Sequence, residues 1–320
     1  VWNEGYGEAN IDADVPVGKQ TRFLMTPAAD PIVAVSVMQL IDSNRLELDA
    51  NINQYLPFDV KHPDFPTAVI TLRMLLSHTS GLADDPLLLT NLYEAGDADL
   101  QLRNFLPAYF TPKGDLYDPG HYTADRPGKT YQYARMNIAL AGYLVEAITG
   151  IEFDLFTKLN LFSQLGYASV SWFLSDLDPG RVAIPYIKQG SSLEAIDSYG
   201  VPFYPSGQLR ITTEYLSRFC QALLTSGRFG DQQILSSGLI EEMRQEYSAF
   251  VAPGQALGWR VDTLYGKPVL GMYGEDLGAS GSMYLDRPNN TAVILMSNGA
   301  GYRQALDTLN FEILQTAKKL

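Results

Sequence analysis

The chain has 320 residues, more than one minimal core needs, and 46% are hydrophobic against 18% charged, which excludes a disordered or fibrous polypeptide. Its 36 acidic residues outnumber 23 basic ones, and a formal charge of −13 repels phosphate backbones and anionic lipid, so nucleic-acid and membrane-surface partners are not expected. No apolar run approaches the roughly 18–20 residues that cross a bilayer. The opening Val1-Trp2-Asn3-Glu4 has no basic or apolar leader pattern, so the chain as given reads as soluble, without a membrane span.

In chain order, Gly5-Tyr6-Gly7 closes a short strand-like start. Asp30-Pro31 then opens a helix running to about Ser43, with Asp at the N-cap and Pro at the first helical position. Thr71 to His78 reads as a second helix stopped by Gly81. Residues 83–130 are rich in Pro, Gly, Asp and Tyr, and only Leu100 to Tyr109 looks helical there. Helical spacing returns over Tyr133–Thr149, ending on Gly150, and over Phe153–Phe162. After helices at Thr213–Ser226 and Ser236–Gln245, strand-like runs follow at Leu257–Asp262, Pro268–Tyr273, Ser282–Asp286 and Ala292–Ser297. Arg287-Pro288-Asn289-Asn290 marks a hairpin between the last two, and Asn289-Asn290-Thr291 also fits a glycosylation acceptor, a triplet common by chance. A final helix, Tyr302 to Lys319, places Lys318-Lys319 at its C-terminal end, where cations suit the dipole.

The expected architecture is α/β plus all-α, with an antiparallel sheet built from both chain ends, flanking helices and an inserted helical domain. The expected division is 1–25 with 208–320 for the sheet domain and 26–207 for the mainly helical one. Cys220, among Leu216, Phe219, Leu223 and Leu224, reads as a core residue. His62, His78 and His121 lack metal-binding spacing, so neither metal nor cofactor is expected.

Several blocks in order resemble the serine β-lactamase and penicillin-binding-protein superfamily, especially its class C and esterase-like branch. They are Val37-Met38-Gln39-Leu40, Ile70 through the His78-Thr79-Ser80-Gly81-Leu82 block, Pro127-Gly128 through Gly142, Ser206-Gly207-Gln208-Leu209, Leu257-Gly258-Trp259 and Ser297-Asn298-Gly299. The resemblance covers almost the whole chain and implies a β-lactamase-like fold. It also implies three motifs around one cleft: Ser-x-x-Lys at a helix start, Tyr-x-Asn, and a cationic Lys-Thr-Gly or His-x-Gly strand.

Aligned through Val37-Met38-Gln39, the serine position holds Pro27 and the lysine position Asp30. Proline has no hydroxyl, and an ordinary carboxylate, with a pKa near ~4, is a weak base at neutral pH. The Asp30-Pro31 start further implies a helix beginning about one turn late. Tyr133 keeps its place, Arg135 stands for the asparagine, Glu275 for the strand cation and Leu277 for a glycine. The nearest alternative hydroxyls are Thr26, one residue early, and Ser36, two turns into the helix. Because the family brings these positions together, Arg135 is expected to pair with Asp30, Glu275 or both, making Asp30, Tyr133, Arg135 and Glu275 candidate binding residues. Tyr133 reads more readily as a ring packed into the core than as a surviving acid/base. His78 and Ser80 belong to a non-catalytic block and read as turn-stabilising, His121 as an exposed loop residue, and Gly278-Ala279-Ser280-Gly281 as too short for a nucleophile elbow.

The substitutions point to a catalytically inactive relative with a structural, scaffolding or ligand-binding role, with a protein partner or a small molecule as its ligand, in a homo- or hetero-oligomer. Tyr93, Tyr109, Tyr117 and Tyr122 would offer tyrosine-rich surface to a partner. The alternative is a hydrolase of esters or amides using a non-standard nucleophile, or a water activated between Asp30, Glu275 and Tyr133. The resemblance favours export, with the targeting segment outside this chain. The family's leading helix and first strand have no counterpart before Gly5, which leaves a cleaved segment, an omitted one, or a sheet edge covered by a neighbour.

Overall fold

The structure, a computed structural model, describes residues 2–166 and 170–318. Among these, nine α-helices lie at Asp30–Asp42 (α1), Leu72–Leu76 (α2), Pro86–Thr90 (α3), Leu102–Phe110 (α4), Arg135–Thr149 (α5), Phe153–Thr157 (α6), Thr213–Leu224 (α7), Ser237–Arg244 (α8) and Arg303–Ala317 (α9). Residue Lys319 of the expected last helix lies outside the described residues. Lys318 holds Asp286 at 2.6 Å.

The central element is α1. Ile32 to Met38 are all fully buried, including Ser36, so this helix is covered on every side. Ser36 is tolerated because its Oγ donates back to the Ile32 carbonyl at 2.8 Å. Burying each large apolar side chain contributes roughly 1.5–3 kcal/mol. The same cluster reaches Trp172, Phe203 and Trp259, joining helical residues to the sheet. α1 packs against α5 on one side, and on another it approaches Gly258, where a Cβ would lie 2.5 Å from the Ala34 methyl.

Four antiparallel strands, Arg260–Leu264, Lys267–Asp276, Ala279–Asp286 and Thr291–Ser297, form the main sheet in chain order. The first three pair through Gly271↔Arg260 and Glu275↔Ser280, the last two through Tyr284↔Val293. All four come from the last fifth of the chain, and the N-terminal segment lies beside the last of them, where Asn298 donates to the Glu8 carbonyl at 3.2 Å. Near the N-terminus, Glu8–Asn10 pairs with Val15–Pro16, and Phe23–Leu24 pairs with Arg210–Ile211. The second pairing joins positions far apart in the chain, so sequence periodicity carries no information about it.

Two expectations for residues 83–130 also change. Tyr109 and Tyr122 are buried and Tyr93 and Tyr117 half-buried, so these rings face inward rather than offering a tyrosine-rich surface. His121 is 1% exposed and stacks on Tyr109 with ring centroids 3.7 Å apart, so it is a core residue rather than an exposed one. The physical reason is shared: a long connection still needs an apolar floor, and its flat rings supply one. Cys220 is buried as expected.

Candidate functional site

Pro27 sits in a 3₁₀ turn, Thr26–Ala29, that runs directly into α1. The helical path therefore begins before Asp30. The α-helix proper starts at Asp30, but the backbone is not displaced by a turn as the Asp30-Pro31 pair suggested. Thr26 immediately before Pro27 has φ 56°, an uncommon value for a branched residue and one concentrated at functional sites. The strand Lys267–Asp276 presses on this turn: a Cβ on Gly274 would lie 2.6 Å from the Ala28 nitrogen and 2.7 Å from Thr26 Oγ1. Only glycine permits that approach.

In front of the turn is an open cleft of about 560 Å³, walled by Pro27, Tyr133, Arg135, Arg260, Glu275 and Arg303 among others. Three of the four expected binding residues line it. Asp30 does not. It is fully buried behind Tyr133, whose phenol donates to Asp30 Oδ2 at 3.0 Å, while Oδ1 has no partner. Burial pushes its pKa up to about 8 from 3.8, only partly opposed by the Tyr133 hydrogen bond and the nearby Arg135. Asp30 is therefore neutral at pH 7. Burial also raises the Tyr133 pKa, with Asp30 adding to it, so Tyr133 stays a phenol and not a phenolate base.

Arg135 does not pair with Asp30 or Glu275. Its ion pair, among the described residues, is with Asp276 at 3.2 Å, and its Nη1 donates to Tyr93 at 2.6 Å; Tyr93 in turn donates to Asp276 Oδ1 at 2.6 Å. Successive side chains on a strand point to opposite faces. Asp276 thus faces Arg135, while Glu275 turns the other way with Tyr273 and accepts from the Tyr273 hydroxyl and, at 2.9 Å, from the Gly301 N–H. A water activated jointly by Asp30, Glu275 and Tyr133 would need all three to converge, and they do not.

The alternative hydroxyls are occupied too. Thr26 is buried and donates to Met25 O at 2.6 Å, Ser36 is bonded within α1, and Ser280 donates to Gly299 O at 2.8 Å inside the sheet. His78 is buried and its pKa falls to about 3 through burial, so it is a neutral ring tilted by 35° against Tyr133 with centroids 4.4 Å apart; Ser80 donates to Asn137. Ser80 also accepts from the Leu82 N–H at 3.1 Å within the turn, while the His78 ring accepts from the Ala134 N–H at 3.4 Å, at the start of α5. Among the described residues no cluster of His, Cys, Asp and Glu is arranged to hold a metal ion, and no helix is long and apolar enough to cross a membrane.

Sequence reasoning missed Asp84, Tyr93, Asp276 and Arg260. Asp84 caps α5 by accepting from the Arg135 and Met136 N–H groups at 2.8 and 3.1 Å. An acidic residue at a helix N-terminus is a readable signal in principle, but Asp84 lies 51 residues away in the chain. Arg260 lines the cleft beside Tyr131, donating to its hydroxyl at 3.3 Å, and has no carboxylate partner among the described residues.

The Beta-lactamase family model matches residues 1–318. The chain belongs to the beta-lactamase family. Among relatives, it is 29% identical over 282 residues to penicillin-binding protein 4 of Amycolatopsis lactamdurans, covering 84% of this chain and 69% of that protein. It is 22% identical over 218 residues to Protein flp of Staphylococcus aureus strain N315, spanning 68% of this chain and 41% of the relative. Among solved structures, a penicillin-binding protein from Bacillus halodurans superposes with a TM-score of 0.77 at 21% identity, covering 96% of this chain and 90% of that one. The D-amino acid amidase from Ochrobactrum anthropi SV3, complexed with D-phenylalanine, gives 0.75 at 18% identity over 98% and 89%. These likenesses establish the beta-lactamase-like fold, with its mixture of helices and antiparallel sheets.

Proposed function

We propose that this beta-lactamase-family chain has lost acyl-transfer chemistry and uses the retained cleft to bind a small ligand. The observation that carries the reading is Pro27 at the position of the nucleophile. A proline there has no hydroxyl to attack and no N–H to stabilise an oxyanion. Asp30, in place of an activating lysine, is buried and neutral. Tyr133, Arg135 and Glu275, with Arg260, remain as the polar wall against which a ligand would be held.

The test is a chromogenic β-lactam and a p-nitrophenyl ester, with intact-mass analysis for an acyl adduct. The expected result is no turnover above buffer and no adduct. Turnover abolished by Tyr133→Phe or Asp30→Ala would overturn the reading in favour of a hydrolase with a non-standard nucleophile. A role within an assembly is compatible with ligand binding, and the octameric penicillin-binding protein homologue from Pyrococcus abyssi, at 18% identity and a TM-score of 0.73, motivates light scattering on this chain.

A further inference from the structure

A second cavity shares no lining residue with the cleft. It holds about 270 Å³ between the segment 97–103, the end of α5, the start of α6 and the rings of Phe173 and Tyr204. Five carboxylates line it, Asp97, Asp99, Glu146, Glu152 and Asp154, against the single cation Arg103.

Their partners are few. Asp97 accepts from the Leu174 and Ser175 N–H groups at 2.6 and 2.9 Å, and Glu152 meets Arg103 at 3.3 Å in solvent. Asp154 is 9% exposed; its Oδ2 contacts Lys158 at 3.2 Å, but that ammonium is shared with Asp176 at 2.5 Å, and Asp154 Oδ1 has no hydrogen-bond partner. Glu146 Oε1 accepts from the Phe153 N–H at 3.0 Å and the Tyr204 hydroxyl at 3.2 Å. Burial raises the Glu146 pKa, and the charges of Glu152 and Asp154 add to the rise. The opposite wall is apolar, with Phe173 and Tyr204 4.9 Å apart beside Leu102 and Val201.

We propose that this cavity binds a primary ammonium group carried on a short apolar chain. The ammonium brings three donors and the missing positive charge to Glu146 and Asp154, and the methylenes lie along the Phe173 and Tyr204 rings, whose faces also attract a cation. A metal ion is the weaker occupant, because no ligating cluster of the right form exists among the described residues. The acidic field of the whole chain concentrates cations near the site.

The test is a titration with butylammonium, with Nα-acetyl-lysine methylamide in a parallel arm and 1-butanol as the uncharged control, read by backbone amide NMR and the thermal midpoint. Saturable shifts at Leu102, Asp154 and Tyr204 are expected with a charged probe, weakening with salt, and none with 1-butanol. Response to butylammonium alone identifies a free amine, and response to the lysine analogue identifies a partner's side chain. Glu146→Gln keeps the acceptor for Phe153 and Tyr204 and removes only charge. It should melt like the parent yet bind about tenfold more weakly, the change expected for about 1.4 kcal/mol of lost ionic contact. Should that variant fail to fold, Asp154→Asn provides the same reading. The proposal falls if neither charged probe saturates, if 1-butanol acts equally, if both folded variants bind like the parent, or if the shifts map to Tyr133 and Arg260.

Discussion

Asp30 and Arg135 are two charged residues standing where the family resemblance leads one to expect a lysine and an asparagine, and the protein buries them in opposite ways. Arg135 is kept charged: Asp276 and Tyr93 close a ring of contacts around it. Asp30 has one donor, Tyr133, and an oxygen without a partner, and it is discharged by protonation instead. A buried charge must be paired or neutralised, and these two positions use one solution each. The difference teaches that the side of the cleft held by Arg135 is rigidly specified, while the floor beneath Tyr133 is held by weaker, pH-dependent contacts.

The largest destabilisation should come from breaking the paired side. Asp276→Ala leaves the Arg135 guanidinium without its counter-charge, and removing one partner of a buried ion pair costs about 3–5 kcal/mol. Arg135 is partly exposed at 18%, so the lower end applies, about 3 kcal/mol. Chemical denaturation would read it. A cost under about 1 kcal/mol would mean that solvent, not Asp276, carries that charge.

The neutralised side should respond to pH. Between 3.8 and about 8 the unfolded chain has ionised Asp30 while the folded chain keeps its proton. The folded state then binds more protons, so this group's contribution to stability declines as pH rises through that window and levels off above about 8. The slope is on the order of 1 kcal/mol per pH unit. Asp30→Asn should remove the slope, leaving stability at pH 4 nearly unchanged and raising it at pH 8. Equal pH profiles for parent and variant would show that Asp30 is ionised in the folded protein.

How much of this was legible beforehand follows the same division. α1 and α5 were readable from 3.6-residue spacing and from Gly150, whose φ of 74° ends α5. So were the substituted positions Pro27, Asp30, Tyr133, Arg135 and Glu275, because local blocks fix their register. The partner of Arg135 was not, since choosing Asp276 over its neighbour Glu275 depends on which strand face meets α5, 141 positions along the chain. Nor was the state of Asp30, because a pKa depends on burial that a sequence does not display. His121 failed for the same reason: loop composition suggested solvent, and stacking on Tyr109 decided otherwise.

The smallest effect concerns Pro27 itself. Pro27→Ser restores the hydroxyl and the N–H at the head of the turn, so it bears directly on whether the proline alone accounts for the proposed loss of acyl transfer. Proline at a helix start restricts the unfolded chain, and replacing it should cost only about 0.4–1 kcal/mol. The new hydroxyl still faces a neutral, buried Asp30 where an amine would be needed, and the Tyr133 proton remains directed at Asp30 Oδ2. Neither Asp30 nor Tyr133 is then a base for the serine proton. The variant should therefore form no acyl adduct with a β-lactam by intact-mass analysis, while Pro27→Ser combined with Asp30→Lys supplies both missing groups and is the variant in which an adduct is expected. An adduct in Pro27→Ser alone would place the missing base elsewhere in the cleft and make Asp30 incidental.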